Sequence, residues 1–268
     1  MSKRLLITLA IGETFEQMGV VTHPLMKDYA RRCGADFYCI NEGRLHAILG
    51  LPTYEKFQLY EFLDGKYDQV LFVDTDILIS PKSPDIFDIC PGSVFGVAGE
   101  EGYSMAPRHK VLTQEKLGKV NWCNLYFNSG MMLMGPVHRE IFNPDNVLLR
   151  KWTSDADNDD HIMSDQPILN YILNYYGFEM VDLGYKFNHT RVIKETKSRF
   201  NSYFIHYAGP SGHRYGSRMK QIYLDSKVMG SPLNLLLSQK LGSYRWVADR
   251  VSFDFLKYLI KKLSTGKA

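Results

Sequence analysis

Residues 69–80, QVLFVDTDILIS, constrain the fold more than any other stretch of the chain. Four strand-favouring apolar residues, 70–73, run directly into Asp74-Thr75-Asp76, and Ile77, Leu78 and Ile79 follow. Ionised carboxylates inside an apolar run are costly unless something compensates them. Residues i and i+2 of a strand point to the same side, so Asp74 and Asp76 project together, or converge where the strand ends. Three arrangements answer the charge problem: hydrogen bonds from turn amides, a nucleophile paired with an acid, or a bound cation.

The rest of the first half places this stretch in a sheet. LLITLAI, residues 5–11, reads as a strand ending at Gly12-Glu13-Thr14. Residues 24–33 read as a helix opened by Pro24 and stopped by Gly34. DFYCI is a second strand, Thr53 caps a helix through Leu63, and QVLFV is the third strand. Strands alternating with helices predict an α/β domain, its central sheet mostly parallel and flanked by helices. Ligands of such sheets bind beyond the carboxyl ends of the strands, where Asp74 and Asp76 fall. Further on, SVFGVAG reads as a strand and residues 103–124 as loop with a short helix. LYFNSGMMLMG is a strand interrupted by Asn128-Ser129-Gly130. Ser164 caps a helix running to Gly177, and FIHYAG is a short strand ending at His206. The expected organisation is one domain over residues 1–230 and a helical tail over 231–268.

Composition narrows the partners. A formal net charge of +3 on 268 residues gives no general basic field, so nucleic acid is not an expected partner. The four cysteines lack C-x-x-C spacing and read as reduced thiols of a cytoplasmic protein. The tail contains a basic amphipathic segment, 244–263. Trp246, Val247, Val251, Phe255, Leu259 and Leu263 share one face, with Lys257, Lys261 and Lys262 among its cations. It is expected either to dock on its own domain or to lie peripherally on an anionic membrane.

The D-x-D admits two chemistries. Oxygen ligands suit Mg²⁺ and Mn²⁺, and an imidazole such as His206 at the same sheet edge tilts the choice toward Mn²⁺. Aspartyl-phosphate chemistry would use Asp74 as nucleophile. That resembles the haloacid dehalogenase pattern D-x-D-x-[TV], but Leu78 stands at its last position and two strands precede the motif. Other residues have structural readings too. Lys56 reads as a solvated helix residue, Asn128-Ser129-Gly130 as a bulge, and Asp165 as a complement to its helix dipole.

Taken in order, YDQVLFVDTDILI, YFNSGMMLM, SDQPILNYIL and FIHYAG resemble the retaining glycosyltransferases of family 8, over about residues 3–215, which implies a fold of the GT-A type. The resemblance implies a transferase moving a hexose from UDP-glucose or UDP-galactose to a glycan, glycolipid or glycoprotein. It implies Mn²⁺, with Mg²⁺ second, on Asp74, Asp76 and His206. Ala10, Ile11, Gly12 and Thr14 would face the base and ribose, and Thr75 would join the donor contacts. Lys56 would lie near the donor phosphates and sugar, and Asn128, Ser129 and Gly130 would line the sugar pocket. Asp165 would bond sugar hydroxyls, Gln166 would lie beside the anomeric carbon, and Gly209 would let backbone approach the diphosphate. Lys56, Asp165 and Gln166 are the expected catalytic residues. The family pattern H-x-x-G-x-x-K has Gly212 in place of its lysine, and Arg214 is the expected substitute on the diphosphate. A non-catalytic nucleotide-sugar binder is the remaining alternative.

Overall fold

The structure is a computed structural model that describes residues 2–101, 105–123, 125–154, 164–193, 199–209 and 218–231. Its elements in chain order are β1 (Arg4–Leu9), α1 (Glu13–Arg32), β2 (Ala35–Ile40) and α2 (His46–Leu49), then a 3-10 helix over Pro52–Phe62. There follow β3 (Gln69–Val73), β4 (Ile77–Ile79), β5 (Phe95–Val97), α3 (Ala106–Leu117), β6 (Met131–Met134) and α4 (Val147–Thr153). The last are α5 (Asp165–Tyr176), β7 (Met180–Asp182), β8 (Phe204–His206) and α6 (Arg218–Met229).

Six strands form one sheet in the order β2-β1-β3-β6-β5-β7. The β1/β2, β1/β3 and β5/β7 pairs are parallel, while β6 runs antiparallel to both β3 and β5. All five residues of β3 are buried, because the sheet is covered on both faces. Val70 and Phe72 point into one apolar layer with Ile7, Met132, Trp152 and Ile168. Leu71 and Val73 point into the other, with Leu6, Tyr29, Leu133 and Phe204. Each such side chain contributes roughly 1.5–3 kcal/mol by leaving water, so the end of β3 is a rigid platform.

The strand does not persist through the D-x-D. Asp74-Thr75-Asp76 turns the chain, with Ile77 N–H donating to the Asp74 carbonyl at 3.1 Å. The apolar residues beyond form β4, which pairs with β8 in a separate two-stranded antiparallel sheet. Its register sets Ile77 opposite His206. Tyr207 N–H donates to the Asp76 carbonyl at 3.0 Å, so the pairing carries His206 directly to the carboxylates.

Three local expectations are corrected. The first helix begins at Glu13, and Pro24 lies inside it. Pro24 faces solvent and Val20, one turn earlier, is 77% exposed, so the carbonyl that proline leaves without a donor lies on the exposed side of the helix. Residues 52–62 are 3-10 helix rather than an α-helix capped by Thr53; Leu51, in extended conformation, precedes Pro52 at the first helical position. Ser164 precedes α5 but makes no side-chain cap bond. Within 103–124, the helix is the twelve-residue α3. Among the described residues no helix is long and apolar enough to cross a membrane. The expected tail helix at 244–263 lies outside the described residues.

Candidate active site

Asp74, Asp76 and His206 converge at the carboxyl end of β3, each offering one ligand atom within 4.8 Å of the others. His206 Nε2 lies 3.2 Å from Asp76 Oδ1 and 3.7 Å from Asp74 Oδ2. A chain of hydrogen bonds fixes the imidazole. Gly130 N–H donates to Asn128 Oδ1 at 3.0 Å, which orients that amide. Asn188 Nδ2 then donates to Asn128 O and Oδ1 at 3.3 and 3.2 Å. Asn188 Oδ1 is thereby turned to His206 Nδ1, 2.8 Å away, and can only accept. Nδ1 therefore carries a proton, and Nε2 is the ring atom turned to the two carboxylates. Two carboxylate oxygens and an imidazole nitrogen so gathered could hold a metal ion.

Gly130 makes this convergence sterically possible. A Cβ built there would lie 2.2 Å from His206 Cε1 and 2.8 Å from Asp74 Oδ2. Its N–H is the start of the orienting chain and its carbonyl accepts from Asp74 N–H at 2.8 Å. The residue expected in the sugar pocket thus also forms the wall against which the ligand cluster closes.

Lys56 is the buried cation of the site. Its Nζ lies 2.9 Å from Asp165 Oδ2 and 3.2 Å from Asp74 Oδ1, and donates to Ser129 Oγ at 3.1 Å. Ser129 Oγ in turn donates to Asp165 Oδ2 at 2.6 Å. Lys56 is 6% exposed, so the solvated-helix reading does not hold. Burial works against its charge, but Asp165 and Asp74 outweigh burial and raise its pKa above the ordinary lysine value. The same balance divides the D-x-D. Burial, with Asp76 close by, pushes the Asp74 carboxyl up despite Lys56. Burial also opposes ionisation of Asp76, yet His206 and Arg218 overcome it and hold that carboxyl well below the usual range.

Gln166 neighbours Asp165 at the start of α5, and its Oε1 accepts from Asn128 Nδ2 at 3.0 Å. Thr75 turns back into the fold. Its hydroxyl donates to the Leu9 carbonyl and lies 3.0 Å from Thr8 Oγ1 and 3.4 Å from His23 Nε2. A donor contact from Thr75 would therefore have to come from its backbone. Ala10 is buried, its N–H on the Ile40 carbonyl at 2.9 Å. Ile11 is partly exposed and Thr14 exposed at the same edge. Gly12 and Gly209 adopt φ of 83° and 88° with open space around them, so backbone conformation, not crowding, calls for glycine at both. Arg214 and Gly212 lie outside the described residues.

Four participants carry no motif of their own. Thr8 and Asn188 hold site residues as described. Arg218, on α6, donates from Nη1 to Asp76 Oδ2 at 2.7 Å. Glu100 is buried and accepts from Thr190 Oγ1 at 2.8 Å, and burial pushes its carboxyl up. A buried carboxylate among Thr190, Gln166 and Asn128 is the one signal that flags Glu100, and it appears only once the chain is folded.

The model for Glycosyl transferase family 8 matches residues 13–211. Solved structures share the fold. The galactosyltransferase LgtC, in complex with donor and acceptor sugar analogs, superposes with a TM-score of 0.56 at 16% identity, covering 84% of this chain and 95% of that one. A glycosyltransferase involved in glycosylation of the major capsid of PBCV-1 gives 0.50 at 13%, covering 85% and 98%. The bifunctional WbbM gives 0.51 at 13%, covering 89% of this chain and 52% of that one. At these identities the likeness speaks for the fold, which is of the GT-A type. No match to a curated protein was found.

Proposed function

The chain belongs to glycosyl transferase family 8 and is a glycosyltransferase; on that premise we propose that it moves a hexose from a nucleoside diphosphate sugar, UDP-glucose or UDP-galactose, to a hydroxyl of a glycan or glycoconjugate. The observation that carries this reading is the convergence of Asp74, Asp76 and His206, oxygen and nitrogen ligands gathered at the carboxyl end of β3, the kind of edge at which open α/β sheets take ligands. Asp74, Asp76 and His206 would hold Mn²⁺ there, which would stabilise negative charge on the departing diphosphate as a Lewis acid.

The chain's own residues supply position and charge. Lys56 locks Asp165 and Asp74 into one ion-paired unit beside that cluster, so the carboxylate assigned to the sugar hydroxyls is fixed before the donor arrives. Asn128 Nδ2 holds the amide oxygen of Gln166, the side chain we assign to the reacting carbon. An amide oxygen is a poor nucleophile and Asp165 is buried against Lys56, so we favour attack from the face the diphosphate leaves. The bond from C1 to the diphosphate oxygen breaks, the acceptor oxygen bonds to C1, and the acceptor proton passes to the departing phosphate. Configuration is then retained. Neither the phosphotransferase nor the non-catalytic alternative gains an observation, since Asp74 is ion-paired to Lys56 and the family is one of transferases.

Incubation with UDP-glucose or UDP-galactose and Mn²⁺ should release UDP slowly, and faster with an accepted glycan. Chelator and Asp76→Asn should each abolish release. Release indifferent to both would show that the cluster is not a metal site.

A further inference from the structure

We propose that Arg218, at the start of α6, is the cationic contact for the donor's diphosphate, in place of the lysine the family pattern puts at 212. This rests on the glycosyltransferase reading above. Arg218 is 142 residues from Asp76 in sequence, yet its Nη1 lies 2.7 Å from Asp76 Oδ2. The other oxygen of Asp76 faces His206 at 3.2 Å. The guanidinium therefore stands on the flank of the ligand cluster and leaves its centre open. Asp76 can offer Oδ1 to a cation while Oδ2 keeps its arginine.

The pairing leaves the guanidinium under-used. Among the described residues its Nε is buried with no hydrogen-bond partner. An N–H in that state carries the full penalty of desolvation, which an anionic oxygen would remove. Arginine presents two edges, so one can remain on Asp76 while the other meets a phosphate oxygen. A diphosphate drawn to a cation on Asp76 would come beside this flank.

The helix that carries Arg218 is anchored to the strand that carries His206. Asp225 on α6 accepts from Arg199 Nε and Nη2 at 2.6 and 2.7 Å and from the Tyr207 hydroxyl at 2.5 Å. Ile222 and Met229 are buried with Leu78, Phe200 and Ile205. A charge-assisted network at Asp225, about two turns on from Arg218, thus fixes α6 against the segment that carries His206.

The test compares nucleosides with their diphosphates. Calorimetry in Mn²⁺ with UDP, GDP, ADP and CDP, each against its nucleoside, identifies the nucleotide that the wild type prefers. Arg218→Ala should weaken that diphosphate about 10- to 100-fold, leave the nucleoside within twofold, and bind Mn²⁺ alone, read by electron paramagnetic resonance, no more weakly than wild type. Arg218→Lys, which keeps charge and Asp76's partner, should recover part of the loss. Equal loss of nucleoside, diphosphate and Mn²⁺ would show a merely structural residue and overturn the proposal. So would a diphosphate affinity unchanged in Arg218→Ala. If the wild type binds no nucleoside diphosphate, the parent reading fails and takes this one with it.

Discussion

Lys56 Nζ stands 2.9 Å from Asp165 Oδ2, and this ion pair ties the start of α5 to the turn after β3. Both side chains are almost wholly buried, at 8% and 5% exposure. Removing one partner of a buried pair leaves the other charge uncompensated, at a cost of about 3–5 kcal/mol, whereas replacing both with apolar groups is often close to neutral. Lys56→Met should therefore lower unfolding free energy in urea by that amount, and Lys56→Met with Asp165→Leu should regain much of it. Neither should transfer sugar. A Lys56→Met protein as stable as wild type would mean the pair is not the lock described here.

Gly130 gives a sharper local test. Its missing side chain leaves the space that His206 Cε1 and Asp74 Oδ2 occupy, and the imidazole is itself pinned by Asn188. Gly130→Ala must displace the imidazole or the carboxylate by more than a few tenths of an ångström. Mn²⁺ affinity should fall by an order of magnitude or more while far-UV circular dichroism is kept. Alanine bound to Mn²⁺ as tightly as glycine would sink this account of the wall.

The sequence and the folded chain agree most where burial writes a continuous signal. QVLFV reads as a buried strand and is one, and its abrupt change to Asp-Thr-Asp marks the strand end correctly. Elements set by tertiary partners were harder to read. The 20-residue α1 begins just after Gly12 with acidic residues in its first turn, but Pro24 is the louder local signal and points to the wrong start. Lys56 looks like any helix lysine until Asp74 and Asp165 arrive from other elements. Asn188 and Arg218 act through pairings 18 and 142 residues long. No local periodicity encodes such contacts, because they depend on which strand β8 pairs with and where α6 lands.

Asn188 should act through His206 alone. Its carbonyl oxygen sets the imidazole tautomer, and losing such a partner typically costs about 10–100-fold in metal affinity. Asn188→Leu should lose Mn²⁺ binding by that factor in equilibrium dialysis. Asn188→Asp, which still accepts from Nδ1, should stay within severalfold of wild type despite its lost donor to Asn128. The idea fails if leucine and aspartate behave alike.

Two buried histidines outside the site predict how stability depends on pH. Burial lowers His109 and His138 from 6.5 to about 4. Gly135 N–H donates to His138 Nδ1 at 3.1 Å, so that nitrogen must stay unprotonated, and among the described residues His138 Nε2 is buried without a partner. With the folded values below the unfolded ones, the unfolded chain binds more protons between about pH 6.5 and 4, and stability must rise with pH across that window. It is fully present above pH 6.5 and is lost as pH falls toward 4, by up to about 1.4 kcal/mol per unit for each histidine. Urea unfolding from pH 7 to pH 4.5 should show this fall. His138→Phe keeps the ring packing at Phe95 and Phe178 but leaves Gly135 N–H without its acceptor. It should therefore lower the neutral-pH plateau yet flatten the slope by one histidine's share. An unchanged slope would mean that His138 titrates alike in the folded and unfolded chains.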